Sequence, residues 1–274
     1  MNFAVRFYRD KDTTLQDIMS FDEIIIDYLK KDVSLINFIN ETMLEGKRLV
    51  LDTTNYSDEN FALLDNKEIL VAAKEACIKK SIAFFICLSE NQIDNTDIIN
   101  FLSSTEIPFF CYNIVTNLED FIFFLNKGVS QVYIGGDLGF SLLHINEAYP
   151  NIGLRVYPNI SQTKNNSKIT GFFIRPEDVI QYNNLPITFE FFGPRPKQKI
   201  LYQIYKKGIW KEDLRNIILG LEEPLIGDCL PSHFGVIRSI CKKDCYFKKC
   251  SFCSEIQKTN NKMVNQNLSF RYKY

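Results

Sequence analysis

Nine short apolar runs, separated by segments with helical spacing, constrain the fold of this chain more than any other feature. A strand followed by a helix, repeated along a chain, predicts a parallel sheet that is covered on both faces. Strands that are short and almost continuously apolar agree with such burial. The runs lie at residues 3–8, 23–27, 48–52, 82–88, 107–113, 132–136, 153–157, 172–175 and 187–192.

The number of runs favours a closed barrel, which needs eight strands, so that one of the nine is spurious or lies outside the ring. A length of 274 residues suits one such barrel. We therefore predict a (β/α)8 TIM-type barrel with a C-terminal cysteine-rich segment, and an open doubly wound sheet is the alternative. The predicted division is a barrel over 1–220, a cysteine-rich metal-binding segment over 221–258 and a basic tail over 259–274.

The composition predicts a globular protein with a large core, because 46% of the residues are hydrophobic and 23 are Phe. Residues 1–10 contain no apolar stretch of the kind found in signal peptides. The longest apolar run, Ile82–Leu88, is too short to span a membrane. We therefore expect a cytoplasmic protein without a membrane segment, in which clustered cysteines bind metal rather than form disulfides.

The charge of the chain is unevenly distributed. Residues 238–274 contain nine Lys and Arg against two Asp and Glu, a net charge of +7, whereas the rest contains 23 against 31, a net charge of −8. A basic segment on an acidic body is typical of a protein with an anionic partner, such as RNA. It is equally typical of a solvated, partly frayed tail. Both interpretations stay open at this point.

Polar residues follow the apolar runs, where the carboxyl ends of barrel strands meet at one mouth and active sites are built. Asp137 and Arg175 are the strongest candidates, because each lies between a predicted strand and the start of a helix. The sequence has no P-loop, no dinucleotide fingerprint and no His-Glu-x-x-His motif, and with two histidines it disfavours a histidine-based triad. The candidate substrate-binding residues are Asp52, Asn113, Asp137, Arg175 and Glu190.

Five of the eight cysteines fall within 25 residues, with gaps of eleven, three, four and two residues between them. Thiolates at this density are the usual ligands of a soft metal or an iron–sulfur cluster. Three interpretations remain: a [4Fe-4S] cluster on four of the five, a structural zinc, or a cysteine-rich tail without metal. The crowding resembles iron–sulfur sequences more than zinc sites. The candidate ligands are Cys229, Cys241, Cys245, Cys250 and Cys253.

The other three cysteines, Cys77, Cys87 and Cys111, lie in apolar helix or strand patterns. Free cysteine behaves as a small hydrophobic residue in such positions. We predict that all three belong to the core.

The stretch 117–136, a helix followed by Gly128 and then by Val132-Tyr-Ile-Gly-Gly136, resembles a segment of the U32 peptidase-like family. This resemblance implies a TIM-type barrel with late cysteines, and in several family members a [4Fe-4S] cluster. It also implies hydroxylation of RNA bases or of a quinone precursor, or else a collagenase-like peptidase activity. The family's Gly-Ala-Leu-Cys segment corresponds here to 155–159, which has no cysteine. The ligands proposed here therefore depend on this chain's own cysteine spacing.

We predict an iron–sulfur barrel enzyme of this type, acting on an RNA base or a small aromatic ring. Four of the five cysteines hold the cluster near the barrel mouth, and the basic segment attracts RNA or another anionic substrate. One alternative is a non-enzymatic barrel whose structural zinc pins the C-terminal segment. A peptidase is the other, although the sequence offers it no nucleophile–base pair.

Overall fold

The structure is a computed structural model, and the chain forms two compact units that are described separately. The first comprises Met1–Ile134, Leu142–Val156 and Leu185–Glu190, and the second comprises Gly135–Ser141, Tyr157–Asn184 and Phe191–Tyr274. The residues that the structure describes are 1–7, 19–27, 34–54, 63–139, 141–159, 173–192, 195–219, 225, 227, 230 and 251–271. Within these ranges, the side chains of 137, 195–196, 251–253 and 266–271 are not described.

Eight parallel strands of the first unit form one sheet. They are β1 (Asn2–Phe7), β2 (Glu23–Asp27), β3 (Arg48–Asp52), β4 (Ala83–Leu88), β5 (Phe109–Val115), β6 (Gln131–Ile134), β7 (Gly153–Val156) and β8 (Ile187–Glu190). Each strand pairs with the next along the chain, and β1 also pairs with β8, so the sheet closes into a barrel. The predicted (β/α)8 TIM-type barrel is confirmed, and the open-sheet alternative is wrong, because an open sheet would leave two edges.

Helical segments alternate with the strands. Within the described ranges they are α1 (Ser34–Glu41), α2 (Lys67–Lys79), α3 (Glu90–Ile93), α4 (Thr96–Ser104), α5 (Leu118–Asn126), α6 (Gly136–Gly139), α7 (Leu142–Ala148), α8 (Arg195–Lys207) and α9 (Ser251–Arg271). Short 3-10 helices form at Leu63–Asn66, Pro176–Tyr182 and Leu214–Asn216. None of the helices in these ranges has both the length and the apolar character needed to cross a membrane.

The ninth apolar run, 172–175, is the spurious one. Residues 173–175 are not in a strand, and they lead into the 3-10 helix that begins at Pro176. Proline suits the first position of a helix, because it has no N–H to leave without a partner and its φ is already helical. The predicted helix start at Pro176 is therefore correct in position, but no strand precedes it.

Helix α5 shows how local sequence sets the element boundaries. The side-chain Oδ1 of Asn117 accepts a hydrogen bond from the backbone N–H of Asp120 at 2.9 Å, which makes Asn117 the N-cap of this helix. Gly128, with a φ of 79°, follows the helix, and a residue with a Cβ would be strained in that conformation. The chain then enters β6.

Side chains of each strand alternate between the barrel interior and the surrounding layer. Ile24 and Ile26 of β2 and Leu49 and Leu51 of β3 are fully buried, and they form part of the apolar core of that layer. Residues paired across neighbouring parallel strands share a face, so Glu23 lies beside Arg48 and Asp27 beside Asp52 on the opposite, inner side. The interior therefore receives charged residues while the outer face stays apolar.

Candidate functional site

The barrel interior holds a network of alternating positive and negative side chains. Aliphatic side chains usually fill the interior of TIM barrels, so the chemistry of this interior is unusual. Each member of the network forms an ion pair with the next, and the first and last members both lie on β3. In order, its members are Arg48 on β3, Glu23 on β2, Arg155 on β7, Glu190 on β8, Arg6 on β1 and Asp52 on β3.

Arg155 is the central cation of this interior network, and its side chain has no exposed surface. Its Nη2 lies 2.6 Å from Oε1 of Glu23 and 3.1 Å from Oε2 of Glu190. Burial acts to lower the pKa of Arg155, but the negative charges of Glu23 and Glu190 act to raise it and prevail. The pKa therefore lies well above its ordinary value, and the guanidinium stays charged inside the barrel.

Aromatic rings and one amide hold the Arg155 guanidinium in place. Its carbon lies 4.5 Å from the ring centre of Phe110 and 5.0 Å from that of Tyr133, at cation–π distances. Its Nη1 donates a 3.0 Å hydrogen bond to Oε1 of Gln131. A Cβ at Gly153 would lie 2.8 Å from Cγ of Gln131, so the glycine leaves the space that this amide occupies.

Glu190 connects the two cations Arg155 and Arg6. Its Oε1 accepts a 2.8 Å hydrogen bond from Nε of Arg6, and its Oε2 accepts one of 2.5 Å from the hydroxyl of Tyr133. Burial acts to raise the pKa of Glu190, but Arg6, Arg155 and these hydrogen bonds outweigh it, so the pKa is lowered. Burial raises the pKa of Tyr133 well above its ordinary value. Glu190 is therefore ionised, whereas the Tyr133 hydroxyl keeps its proton and donates a hydrogen bond to the Glu190 carboxylate.

The interior network reaches the carboxyl end of the barrel strands at Asp52. Its Oδ2 pairs with Arg6, and its Oδ1 accepts hydrogen bonds from the backbone N–H and the hydroxyl of Thr54, at 2.9 and 2.6 Å. The neighbouring Thr53 hydroxyl donates to the carbonyl of Cys87 at 2.7 Å. These bonds fix the end of β3 against the end of β4.

An open cleft of about 440 Å³ lies beside this end of the barrel. Tyr112 of β5 is 39% exposed, and its ring lies 5.5 Å, edge to face, from the ring of Tyr133. The guanidinium carbon of Arg6 lies 4.8 Å from the centre of the Tyr112 ring, and the Arg6 side chain is 14% exposed. The cleft is lined by Thr54, Ser89, Glu90, Asn91 and Tyr112.

The structure brings together two of the predicted substrate-binding residues, Asp52 and Glu190, because both bind Arg6. Asn113 lies half-buried in β5, within the register shift between Cys111 and Ile114. It is not among the residues that line the cleft.

The two strongest sequence candidates belong to the second unit. Asp137 lies in α6, and its side chain is not described. Arg175 is buried, and its guanidinium donates to both carboxylate oxygens of Asp178 at 2.8 and 2.9 Å, as well as to the carbonyl of Leu230 at 3.4 Å. These bonds give Arg175 a structural role, and its contact with substrate stays a prediction.

Sequence reasoning missed four charged residues of the interior. Each interrupts or begins an apolar run, and a charge at an inward position of a strand is the signal that could have identified them. Their apolar neighbours indicated buried strands, and no role was assigned to the charges themselves. The four are Arg6, Glu23, Arg48 and Arg155.

The predicted metal ligands fall almost entirely outside the described residues. Cys229, Cys241, Cys245 and Cys250 lie outside them, and Cys253 lies in α9 with its side chain not described. Among the side chains that are described, no group of three His, Cys, Asp or Glu is placed to hold a metal ion. The choice between iron–sulfur and zinc stays a prediction from spacing.

The three cysteines predicted to belong to the core are confirmed as buried. Cys77, Cys87 and Cys111 have free thiols. Burial raises the pKa of Cys77 to about 12 and acts in the same direction on the other two. These thiols are packing residues rather than reactive groups.

The fold and site define a TIM-type barrel with an ionic interior and an aromatic-lined cleft near the carboxyl end of its strands. No protein-family model matches the chain, and a search of curated proteins found none similar to it. The function is therefore inferred from the site itself.

Proposed function

We propose that this protein is an iron–sulfur-dependent barrel enzyme that binds an aromatic ring, either an RNA base or a small molecule, in the Tyr112 cleft. The observation that carries the proposal is Tyr112, an aromatic residue that lines the cleft and is 39% exposed. An exposed aromatic ring is the usual platform on which a protein stacks a base, with each stack contributing about 1–3 kcal/mol.

The Tyr112 ring is held by its neighbours rather than left to rotate. Arg6 lies over it at 4.8 Å and Tyr133 meets it edge to face at 5.5 Å. Both partners belong to the interior network, since each binds Glu190. A platform fixed in this way loses little conformational freedom when a ring binds, so more of the stacking energy contributes to affinity.

The cost of the ionic interior supports a functional role for it. Taking charges out of water is expensive, and well-packed apolar residues often stabilise a core as well as a buried ion pair does. A barrel needs no such charges in order to fold. A buried ionic network next to a cleft is typical of sites in which fixed charges orient a substrate or a catalytic group.

The polar lining of the cleft suits a ring with hydrogen-bonding edges. Thr54, Ser89 and Asn91 supply two hydroxyls and an amide to the cleft that Tyr112 also lines. Small-molecule sites commonly combine an aromatic wall with a few polar groups that fix orientation. These groups would position the ring's edge while Tyr112 contacts its face.

The iron–sulfur part of the proposal comes from the sequence. Five cysteines within 25 residues provide the thiolate ligands that a [4Fe-4S] cluster needs. When bound, such a cluster supplies one-electron chemistry, which a hydroxylation of the type seen in the U32 peptidase-like family would use. The +7 segment over residues 238–274 would bind the phosphates of an RNA substrate.

A peptidase is less well supported. His144 is the one histidine among the described residues; it is exposed, and its Nδ1 lies 3.7 Å from Glu147. The described part of the chain therefore gives a histidine-based protease no site. A zinc-pinned, non-enzymatic barrel remains the alternative outcome of the metal measurement given in the Discussion.

Titration calorimetry with nucleosides tests whether the cleft binds an aromatic ring. We expect nucleosides to bind the protein, and Tyr112→Ala to weaken that binding about tenfold, because the stacking surface is lost. Phe123→Ala is the matched control: it removes another aromatic ring of the barrel unit, 45% exposed and outside the cleft lining, and should not change the affinity. Equal effects of the two substitutions, or no binding by the unaltered protein, would reject the proposed site.

A further inference from the structure

Among the described residues, the cleft lining carries one formal charge, that of Glu90, whose side chain is exposed. The other four described lining residues are neutral: two hydroxyl side chains, one amide and the Tyr112 phenol. An ionised carboxylate accepts hydrogen bonds but cannot donate one. Glu90 therefore favours a ligand that carries hydrogen-bond donors.

Two described cations near this end of the barrel unit are already bound by other carboxylates. Arg6, the cation behind Tyr112, is already bound by the carboxylates of Asp52 and Glu190. Lys127 is bound by Asp94 at 2.8 Å. Burial raises the pKa of the Cys111 thiol to about 12, and the charges of Glu90 and Asp94 act in the same direction.

The backbone that carries Glu90 is fixed. Ser89, the N-cap of α3, and Gln92 form a capping box, in which the Ser89 N–H donates to Oε1 of Gln92 at 2.8 Å. The hydroxyl oxygen of Thr53 at the end of β3 lies 3.0 Å from the same Oε1. Glu90 is thus held between the ends of β3 and β4, on the same rim as Thr54.

We infer that Glu90 determines the substrate class of the cleft, which takes an amino-substituted or cationic ring and rejects an anionic one. This inference rests on the proposed function, since it names the ring that the Tyr112 platform would stack. A ring amino group donates to the Glu90 carboxylate in a charge-assisted hydrogen bond. A ring carboxylate is repelled by it. The phosphates of an RNA substrate therefore bind outside the cleft.

Two sets of probes separate shape from charge. Benzamidine, benzamide and benzoate have one ring and similar size but carry charges of +1, 0 and −1, and we expect their affinities to fall in that order. Adenosine and purine riboside share one ring system, and only adenosine carries a ring amino group. We expect adenosine to bind about fivefold more tightly, because its amino group donates a hydrogen bond to the Glu90 carboxylate that purine riboside cannot form.

The deciding variant is Glu90→Gln, which keeps the size of the side chain, removes its charge and adds an amide donor. We expect it to abolish the adenosine preference and to bring benzamidine and benzoate to similar affinities. Glu119→Gln is the matched control, because Glu119 is also an exposed acid in the first turn of a barrel-unit helix, outside the cleft lining. It should keep both preferences.

The outcomes distinguish this inference from the proposed function. If rings bind and Tyr112→Ala weakens them, but Glu90→Gln leaves both preferences intact, the substrate class assigned here is wrong and the cleft survives. A preference for benzoate in the unaltered protein would overturn the inference in the same way. If no ring binds at all, the proposed function fails, and the inference fails with it.

Discussion

Arg155 on β7 and Glu23 on β2 form a 2.6 Å ion pair, and neither side chain has any exposed surface. Strands β8 and β1 lie between β7 and β2 in the closed sheet, so the pair spans the interior rather than joining neighbouring strands. Because Arg155 also binds Glu190, one guanidinium ties three strands together.

Arg155→Met should destabilise the fold strongly. The substitution preserves an apolar stem but leaves Glu23 buried without its 2.6 Å cation, and loss of one partner of a buried pair costs about 3–5 kcal/mol. The measurement is the free energy of unfolding from urea titration. Lys127→Met is the control, because it removes a partly exposed pair with Asp94 that should contribute less than about 1 kcal/mol. Similar losses in the two variants would show that the interior network is not structural.

Glu190 should make stability depend on acid pH. Burial opposes its ionisation, but Arg6 and Arg155 outweigh it, so its folded pKa lies below its ordinary value of 4.5. A lowered folded pKa contributes stability that is complete above the unfolded pKa and is lost as pH falls through the folded pKa. Between about pH 5 and 3 the free energy of unfolding should therefore fall less steeply for Glu190→Gln than for the unaltered protein. Parallel pH profiles would contradict this assignment.

The metal content decides between the iron–sulfur and zinc interpretations. Protein purified without oxygen should be brown and contain about four Fe per chain, because four thiolates bind one [4Fe-4S] cluster. Elemental analysis of the purified protein gives the count. Stoichiometric zinc without iron would favour the non-enzymatic alternative instead.

Cysteine substitutions should separate ligands from core residues. Cys250→Ala should lose metal, because removal of a thiolate opens the coordination shell. Cys87→Ala should keep the metal and lose about 1–2 kcal/mol of stability, because Cys87 is fully buried in β4. Metal analysis and urea titration of both variants test this. Metal loss from Cys87→Ala would place the site elsewhere.

The basic segment should bind RNA through phosphates. Neutralising Lys242, Lys243, Lys248 and Lys249 to Gln should weaken RNA binding and reduce the salt slope by roughly one unit for each lost contact. Kd values measured at several salt concentrations give that slope. A control variant alters four exposed lysines outside residues 238–274 and should keep the slope: Lys67, Lys79, Lys207 and Lys211. If the unaltered protein shows no salt-dependent binding, RNA is not the partner.

The barrel could be predicted from sequence because its signal is repeated. Eight of the nine apolar runs are strands, and β3 has the predicted bounds, Arg48–Asp52. The failure at 172–175 has a local cause: Phe173 and Ile174 are buried as a strand would be, but they lead into a helix at Pro176. Burial and strand pairing leave the same apolar pattern, so hydrophobicity alone did not separate them.

The site could be predicted only where it coincides with strand ends. Asp52 and Glu190 follow or complete apolar runs and were identified in this way. Arg155 was missed because its partner Glu23 is 132 positions earlier in the chain, and no local pattern connects them. Glu90 and Tyr112 form one cleft only because adjacent strands bring their ends together.

The pairing of β1 with β8 has a consequence for how the protein is made. Arg6 and its partner Glu190 are separated by 184 positions, so a ribosome adding about 5–20 residues per second needs roughly 10–40 s between them. Until β8 has been made, the sheet cannot close, and β1 lacks the strand that pairs with one of its two sides. Ring closure must wait for the last strand to emerge, and the interior charges acquire their full set of partners only then.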